Sequence, residues 1–153
     1  MIKKRVLFLC TANSARSQMA EGLVNHFLGD RWQAFSAGTQ PSGFVHPLAV
    51  HAMAEIGVDL SGQRSKGVGE FRNLAFDLVV TLCDGAARTC PVWLGGGQVV
   101  HLGFPDPAAV TGSKAQRLEA FRRVRDALRE QLLAYLVEAD KSLEASSVAA
   151  DAS

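Results

Sequence analysis

Cys10 and Arg16 are separated by Thr11-Ala12-Asn13-Ser14-Ala15, and Ser17 follows. An apolar run, Val6-Leu7-Phe8-Leu9, precedes this string. After it, Met19, Ala20, Leu23, Val24 and Phe27 recur at helical spacing. The pattern predicts a strand, a short loop and a helix. It places a thiol at the carboxyl end of the strand and an arginine at the helix start. The backbone N–H groups of such a loop converge on one point, and the helix dipole adds roughly half a positive charge there. The planar fork of Arg16 matches two oxygens of a tetrahedral oxyanion. The same field favours the thiolate of Cys10, as it does for thiols at helix N-termini generally. A single cysteine near an arginine is as readily a buried strand residue. The complete C-x5-R-S string at a strand-to-helix turn instead points to a nucleophilic sulfur beneath a bound oxyanion. Thr11, Ala12, Asn13, Ser14, Ala15 and Arg16 then line the oxyanion loop.

Two more cysteines and one aspartate extend the chemistry. Cys83 ends the apolar run Phe76-Asp77-Leu78-Val79-Val80-Thr81-Leu82, and Cys90-Pro91 lies in the loop from Asp84 to Gly97. Cys83 alone fits a small buried hydrophobe. Cys90, beside proline in a polar glycine-bearing loop, does not. Asp106 stands between Pro105 and Pro107 after the strand Gln98 to Leu102. Rigidly held at the same end of the sheet, it suits a general acid for a departing oxygen. Ordered by position, Cys10 attacks first. Cys83 is placed to attack an adduct on Cys10, and Cys90 to carry the disulfide outward by thiolate–disulfide exchange.

The first helix spans Arg16 to Leu28, and the second strand Trp32 to Ala37, ended by Gly38. A second helix opens on Pro47, the favoured first position, and closes at Gly57. Ser61 to Phe71 is a polar loop with a short helix, and one of Arg64, Lys66 or Arg72 is a candidate to help hold the oxyanion loop. The last helix begins near Ser113, which with Gln116 forms a capping box. Alternating strands and helices predict an α/β single domain with a four-stranded parallel sheet in the order 2-1-3-4, flanked by helices. In that order the first and third strands are neighbours about 4.8 Å apart. Cys10 and Cys83 then border one crevice. A disulfide, which needs Cα atoms within roughly 7 Å, is within reach of modest loop movement. The domain is expected over residues 1–139, with 140–153 a disordered tail.

With 153 residues, 48% hydrophobic and 20% charged, the chain suits one globular domain. A net charge of +1 gives no general attraction to nucleic acid or anionic membrane. The five arginines from Arg117 to Arg129 alternate with Glu119, Asp126 and Glu130, as on a solvated helix face. No apolar run has the length of a membrane span. The basic start, Met1 to Arg5, leads at once into the motif and leaves no signal-peptide core. Three cysteines, an odd number, suit catalytic or redox use in a reducing compartment. The expectation is a cytoplasmic monomer. His26, His46, His51 and His101 show no metal-ligand spacing.

These motifs resemble the thioredoxin-coupled arsenate reductases of the low-molecular-weight protein tyrosine phosphatase superfamily. The resemblance rests on Cys10 to Gly22, on Phe35-Ser36-Ala37-Gly38-Thr39, on Glu55-Ile56-Gly57-Val58-Asp59, on Thr81-Leu82-Cys83 with Cys90-Pro91, and on Asp106-Pro107-Ala108. It covers roughly residues 3 to 137. It implies that Cys10 attacks arsenate held by the loop and Arg16, and that Asp106 protonates the leaving oxygen. Cys83 then displaces arsenite to form Cys10–Cys83, Cys90 resolves this to Cys83–Cys90, and thioredoxin reduces the product. It further implies that Ser17 hydrogen-bonds the Cys10 thiolate, that Asn13 holds the loop, and that phosphate or sulfate competes with arsenate. No tightly bound cofactor is implied.

Three positions depart from the family pattern. Ala12 stands where glycine is usual, which would be strained if that position needs a positive φ. Ala15 replaces a further cysteine of some members. Some members bind potassium beside the loop. Here Asn13, Glu21 and Ser36 match that site, but Arg64 and Lys66 stand where a threonine and an aspartate are found. A lysine there repels potassium, and Lys66 is expected to take the place of the ion. Two other readings use the same residues. One is a tyrosine-type phosphatase with Cys10, Arg16 and Asp106 and no relay. The other is a thiol redox sensor without a small-molecule substrate.

Overall fold

The structure is a computed structural model that describes residues 2–83, 93 and 95–152, with side chains through Ala145. The elements are β1 (Lys4–Cys10), α1 (Arg16–Phe27), β2 (Trp32–Gly38), α2 (Pro47–Ala54), β3 (Leu78–Thr81), β4 (Gln98–His101), α3 (Lys114–Ala127) and α4 (Leu133–Ala152). A π-helical turn, Leu128–Leu132, joins α3 to α4. The four strands form one parallel sheet in the order β2-β1-β3-β4, the predicted 2-1-3-4.

Side-chain alternation explains why β1 and β3 lie at the centre. Val6, Phe8, Leu78 and Val80 face a core to which α1, α2, α3 and α4 all contribute, through residues such as Leu23, Met53, Phe121 and Leu136. Leu7, Leu9 and Val79 face the opposite side, where Phe71 and Phe76 cover them. Strands buried on both faces have no polar alternation, as their sequences show. The second cover is thin. It is the segment after α2, whose expected short helix is a 3-10 turn at Val68–Phe71. Gly57, at φ 80°, ends the α2 region in a left-handed conformation open to glycine.

Two boundaries differ from expectation. β3 keeps only Leu78–Thr81. Before it, Asp77 Oδ2 accepts from the Arg5 amide at 2.8 Å. Beyond it, the Leu82 amide still donates to Leu9 O at 2.9 Å, so the chain stays against β1 as far as Leu82. The expected tail is also different: α4 runs to Ala152. Asp140 pairs with Lys4 at 2.6 Å and with Arg31 at 2.8 Å, and Glu144 pairs with both. These contacts join residues more than 100 positions apart, so local periodicity carries no sign of them. The α3 start matches expectation: Ser113 Oγ accepts from the Gln116 amide, and Gln116 Oε1 from the Ser113 amide.

Candidate active site

Cys10 is the last residue of β1, and α1 begins six residues later at Arg16. The loop between them is held from outside by its carbonyls. Thr11 O accepts from the Gln40 amide, Ala12 O from the Ser42 amide and the Ser65 hydroxyl, and Ser14 O from the His46 amide. Among the described residues, the amides of 12–16 donate to nothing in the protein. With the carbonyls of Thr11, Ala12 and Ser14 engaged outward, these N–H groups are left for a bound anion, as an oxyanion loop requires.

The loop lies tight against β2. A Cβ on Gly38 would meet Thr11 O at 2.4 Å, so only glycine fits where β2 ends beneath the loop. The strain expected at Ala12 does not arise. Among the described residues, the non-glycine residue with positive φ is Asn13, at 49°, and asparagine tolerates that region.

The cavity over Cys10 measures about 100 Å³ and is lined by Cys10, Ala12, Ser14, Ala15, Arg16, Asp106 and Ala108. Its size suits a single tetraoxo anion. Cys10 is 3% exposed and is a free thiol. Its Sγ lies 2.8 Å from Ser17 Oγ. Asn13 Nδ2 donates to the same Ser17 Oγ at 2.8 Å. Arg16, also buried, donates through Nη1 to Phe104 O at 3.1 Å and places Nη2 3.9 Å from Asp106 Oδ2. Asp106 Oδ1 accepts from the Ala108 amide at 3.0 Å, capping the 3-10 turn Pro107–Ala109. The carboxylate is thus fixed at the cavity rim and open to water.

Cys83 is 1% exposed and stands two residues after Thr81, where β3 ends beside Leu9 of β1. It is disulfide-bonded, and Cys10 is not its partner. Cys90 lies outside the described residues. A second cavity, about 630 Å³, also has Asp106 in its lining, with Pro105, Pro107, Val110, Gln116, Arg123 and Val124 among others.

Of the three cations flagged in the 61–72 segment, Lys66 reaches the loop. Its amide donates to Asn13 Oδ1 at 2.9 Å, and its ammonium to Arg64 O at 3.0 Å, Ser36 Oγ at 3.3 Å and Glu21 Oε1 at 3.4 Å. Ser36 also donates to Glu21 at 2.9 Å. Arg64 turns outward and pairs with Glu70. The donor set around Glu21 and Ser36 therefore does not fit potassium, because a covalent cation lies among the same oxygens. No group of three or more metal-ligating His, Cys, Asp or Glu side chains occurs among the described residues.

Three contributors carried no signal in the sequence. His46 caps α2 through Nδ1, which accepts from the Leu48 amide. Burial and Arg117 hold its imidazole below the ordinary range, against an opposing pull from Asp106. Ser65 and Gln18 bond to the loop directly. Ser65 braces the loop from 53 positions away and has no spacing to betray it, while Gln18 lies within the motif but its type does not show which way its amide turns.

A parallel sheet in this order, with a thiol-bearing oxyanion loop at its switch point, defines a class. The chain belongs to the low molecular weight phosphotyrosine protein phosphatase family, which it matches over residues 5–148. Similar proteins within that class include arsenate reductases. One from Halalkalibacterium halodurans is 47% identical over 132 residues, 86% of this chain and 94% of the relative. A solved arsenate reductase in the phosphate binding state superposes with a TM-score of 0.74 at 33% identity, covering 88% of this chain and 98% of its own. A thioredoxin-dependent arsenate reductase of Corynebacterium glutamicum superposes with a TM-score of 0.57 at 27% identity, covering 86% of this chain and 63% of its own. No helix among the described residues is long and apolar enough to cross a membrane.

Proposed function

We propose that this chain reduces arsenate to arsenite with a three-cysteine relay regenerated by thioredoxin. One observation carries the reading: a free thiol beneath an oxyanion-sized cavity, with a second cysteine two residues past the end of the adjacent strand. The Cys10 thiolate attacks arsenic while Asp106 protonates the departing oxygen, which leaves as water. The loop amides and Arg16 hold the remaining oxygens. Cys83 thiolate then attacks Cys10 sulfur. A sulfur–sulfur bond forms, the sulfur–arsenic pair stays on arsenic, and As(V) becomes As(III). Cys90 thiolate attacks Cys83 and releases Cys10 as thiolate. A thioredoxin dithiol reduces the Cys83–Cys90 bond. Ser17 and Asn13 hold the sulfur and the loop, and Lys66 stands in for a potassium ion beside Glu21 and Ser36.

Mass mapping after arsenate turnover without reductant tests the relay. Cys83–Cys90 accumulates in the intact chain, and Cys10–Cys83 in Cys90→Ser. Arsenate-independent disulfide formation, or turnover that survives both Cys83→Ser and Cys90→Ser, refutes it.

A second reading, phosphomonoester hydrolysis by Cys10, Arg16 and Asp106 alone, is favoured by the cavity of about 630 Å³ that shares Asp106 with the oxyanion site and would house a leaving group. Such hydrolysis survives both cysteine substitutions.

A further inference from the structure

The hydrogen bonds behind Cys10 run in one direction, and their start is fixed. The Lys66 amide can only donate, and it donates to Asn13 Oδ1 at 2.9 Å. Gln18 Nε2 donates to the same Asn13 Oδ1 at 2.9 Å, to Asn13 O at 3.0 Å and to Arg64 O at 2.8 Å. A reversed Gln18 amide would set its oxygen against three acceptors. Gln63 Nε2 donates to Gln18 Oε1 at 2.8 Å and to Gln18 O at 3.0 Å, which holds the amide that way round. Asn13 Oδ1 being so occupied, Asn13 Nδ2 must face Ser17 Oγ. That donation occupies one lone pair on Ser17 and leaves its own hydrogen to be donated to Cys10 Sγ, 2.8 Å away, once that sulfur is ionised and has no hydrogen to give.

We infer that Gln18 is a positioning residue that, with Gln63, polarises the Gln63–Gln18–Asn13–Ser17 chain so that Ser17 donates to the Cys10 sulfur and stabilises its ionised form. Gln18, Asn13 and Ser17 are each 0% exposed, so water cannot replace a lost donor. The inference rests on Cys10 being the nucleophile, but its test reads the sulfur directly and needs no arsenate turnover.

Gln18→Met keeps the shape and removes the donors. Gln18→Glu replaces them with acceptors. Losing one hydrogen bond to a charged group corresponds to about a ten- to hundredfold drop in the ionised fraction at fixed pH. Iodoacetamide alkylation of Cys10, followed by peptide mass mapping from pH 5 to 10, should be about tenfold slower in both variants near neutral pH. It should converge with the unsubstituted chain at high pH. Gln63→Glu, altered at the partly exposed end of the chain, should move the profile the same way by less and serves if the Gln18 variants do not fold. A packing role alone changes the rate by one factor at every pH, or changes only the melting temperature. Either result, in whichever of these variants folds, overturns the inference. A failed relay with the alkylation profile displaced as described would refute the proposed reaction and leave this inference standing.

Discussion

Replacing Lys66 by methionine tests what holds the oxyanion loop from below. The ammonium lies 3.4 Å from Glu21 Oε1, with side chains 9% and 12% exposed. At an effective dielectric constant of 20, unit charges at that distance attract by about 5 kcal/mol. Part of this offsets the desolvation of both groups. Removing one partner of a buried pair costs about 3–5 kcal/mol, because the other charge is stranded. Glu21 would keep the Ser36 hydroxyl at 2.9 Å, which places the loss near the low end, about 3 kcal/mol. For a chain of this size that lowers Tm by about 6–12 °C. Thermal melts in choline chloride should show the drop. Potassium chloride at equal ionic strength should recover part of it, since the vacated oxygens of Glu21, Ser36 and Arg64 become available to an ion. The unsubstituted chain should melt at the same temperature in both salts. The reasoning is refuted if Lys66→Met melts within about 2 °C of the parent. It is refuted equally if potassium specifically stabilises or activates the parent.

Two other perturbations read different parts of the molecule. Asp106→Asn keeps the acceptor facing the Ala108 amide but has no proton to give. Arsenate turnover should fall by about 10²–10⁴-fold while phosphate binding, measured by calorimetry, is retained; equal loss of both would remove Asp106 from the proton-donating role. Glu55 joins α2 to α3: Arg122, and then Arg125, hold its carboxyl at about 2 against the effect of burial. A depressed carboxyl stabilises the fold above its unfolded value, and that contribution fades as pH falls from roughly 4.5 toward 2. Glu55→Gln should therefore melt lower at neutral pH and lose less stability than the parent across that acid window. Parallel melting curves for the two chains would contradict the assignment.

The sequence determined much of this protein by itself. The run Val6 to Leu9, the C-x5-R-S string and the periodic Met19 to Phe27 are local patterns, and backbone geometry turns them into strand, loop and helix without outside help. Alternation of such units leaves few sheet orders open, so β2-β1-β3-β4 was legible too. Only the tertiary structure decided how the loop is held. Asn13 takes the positive φ, Gly38 makes room for Thr11, and residues 63–66 approach from more than forty positions away to bond Gln18, Ala12, Asn13 and Glu21. The family resemblance singled out Lys66 as the replacement for an ion, but residue type and local spacing alone did not separate it from Arg64, which turns out to solvent and pairs with Glu70. Helix α4 beyond residue 140 shows the same limit, because Lys4 and Arg31 meet Asp140 and Glu144 across the fold. Periodicity records which face of an element is buried. It does not record which distant polar group completes a hydrogen bond, and that depends on how the elements pack.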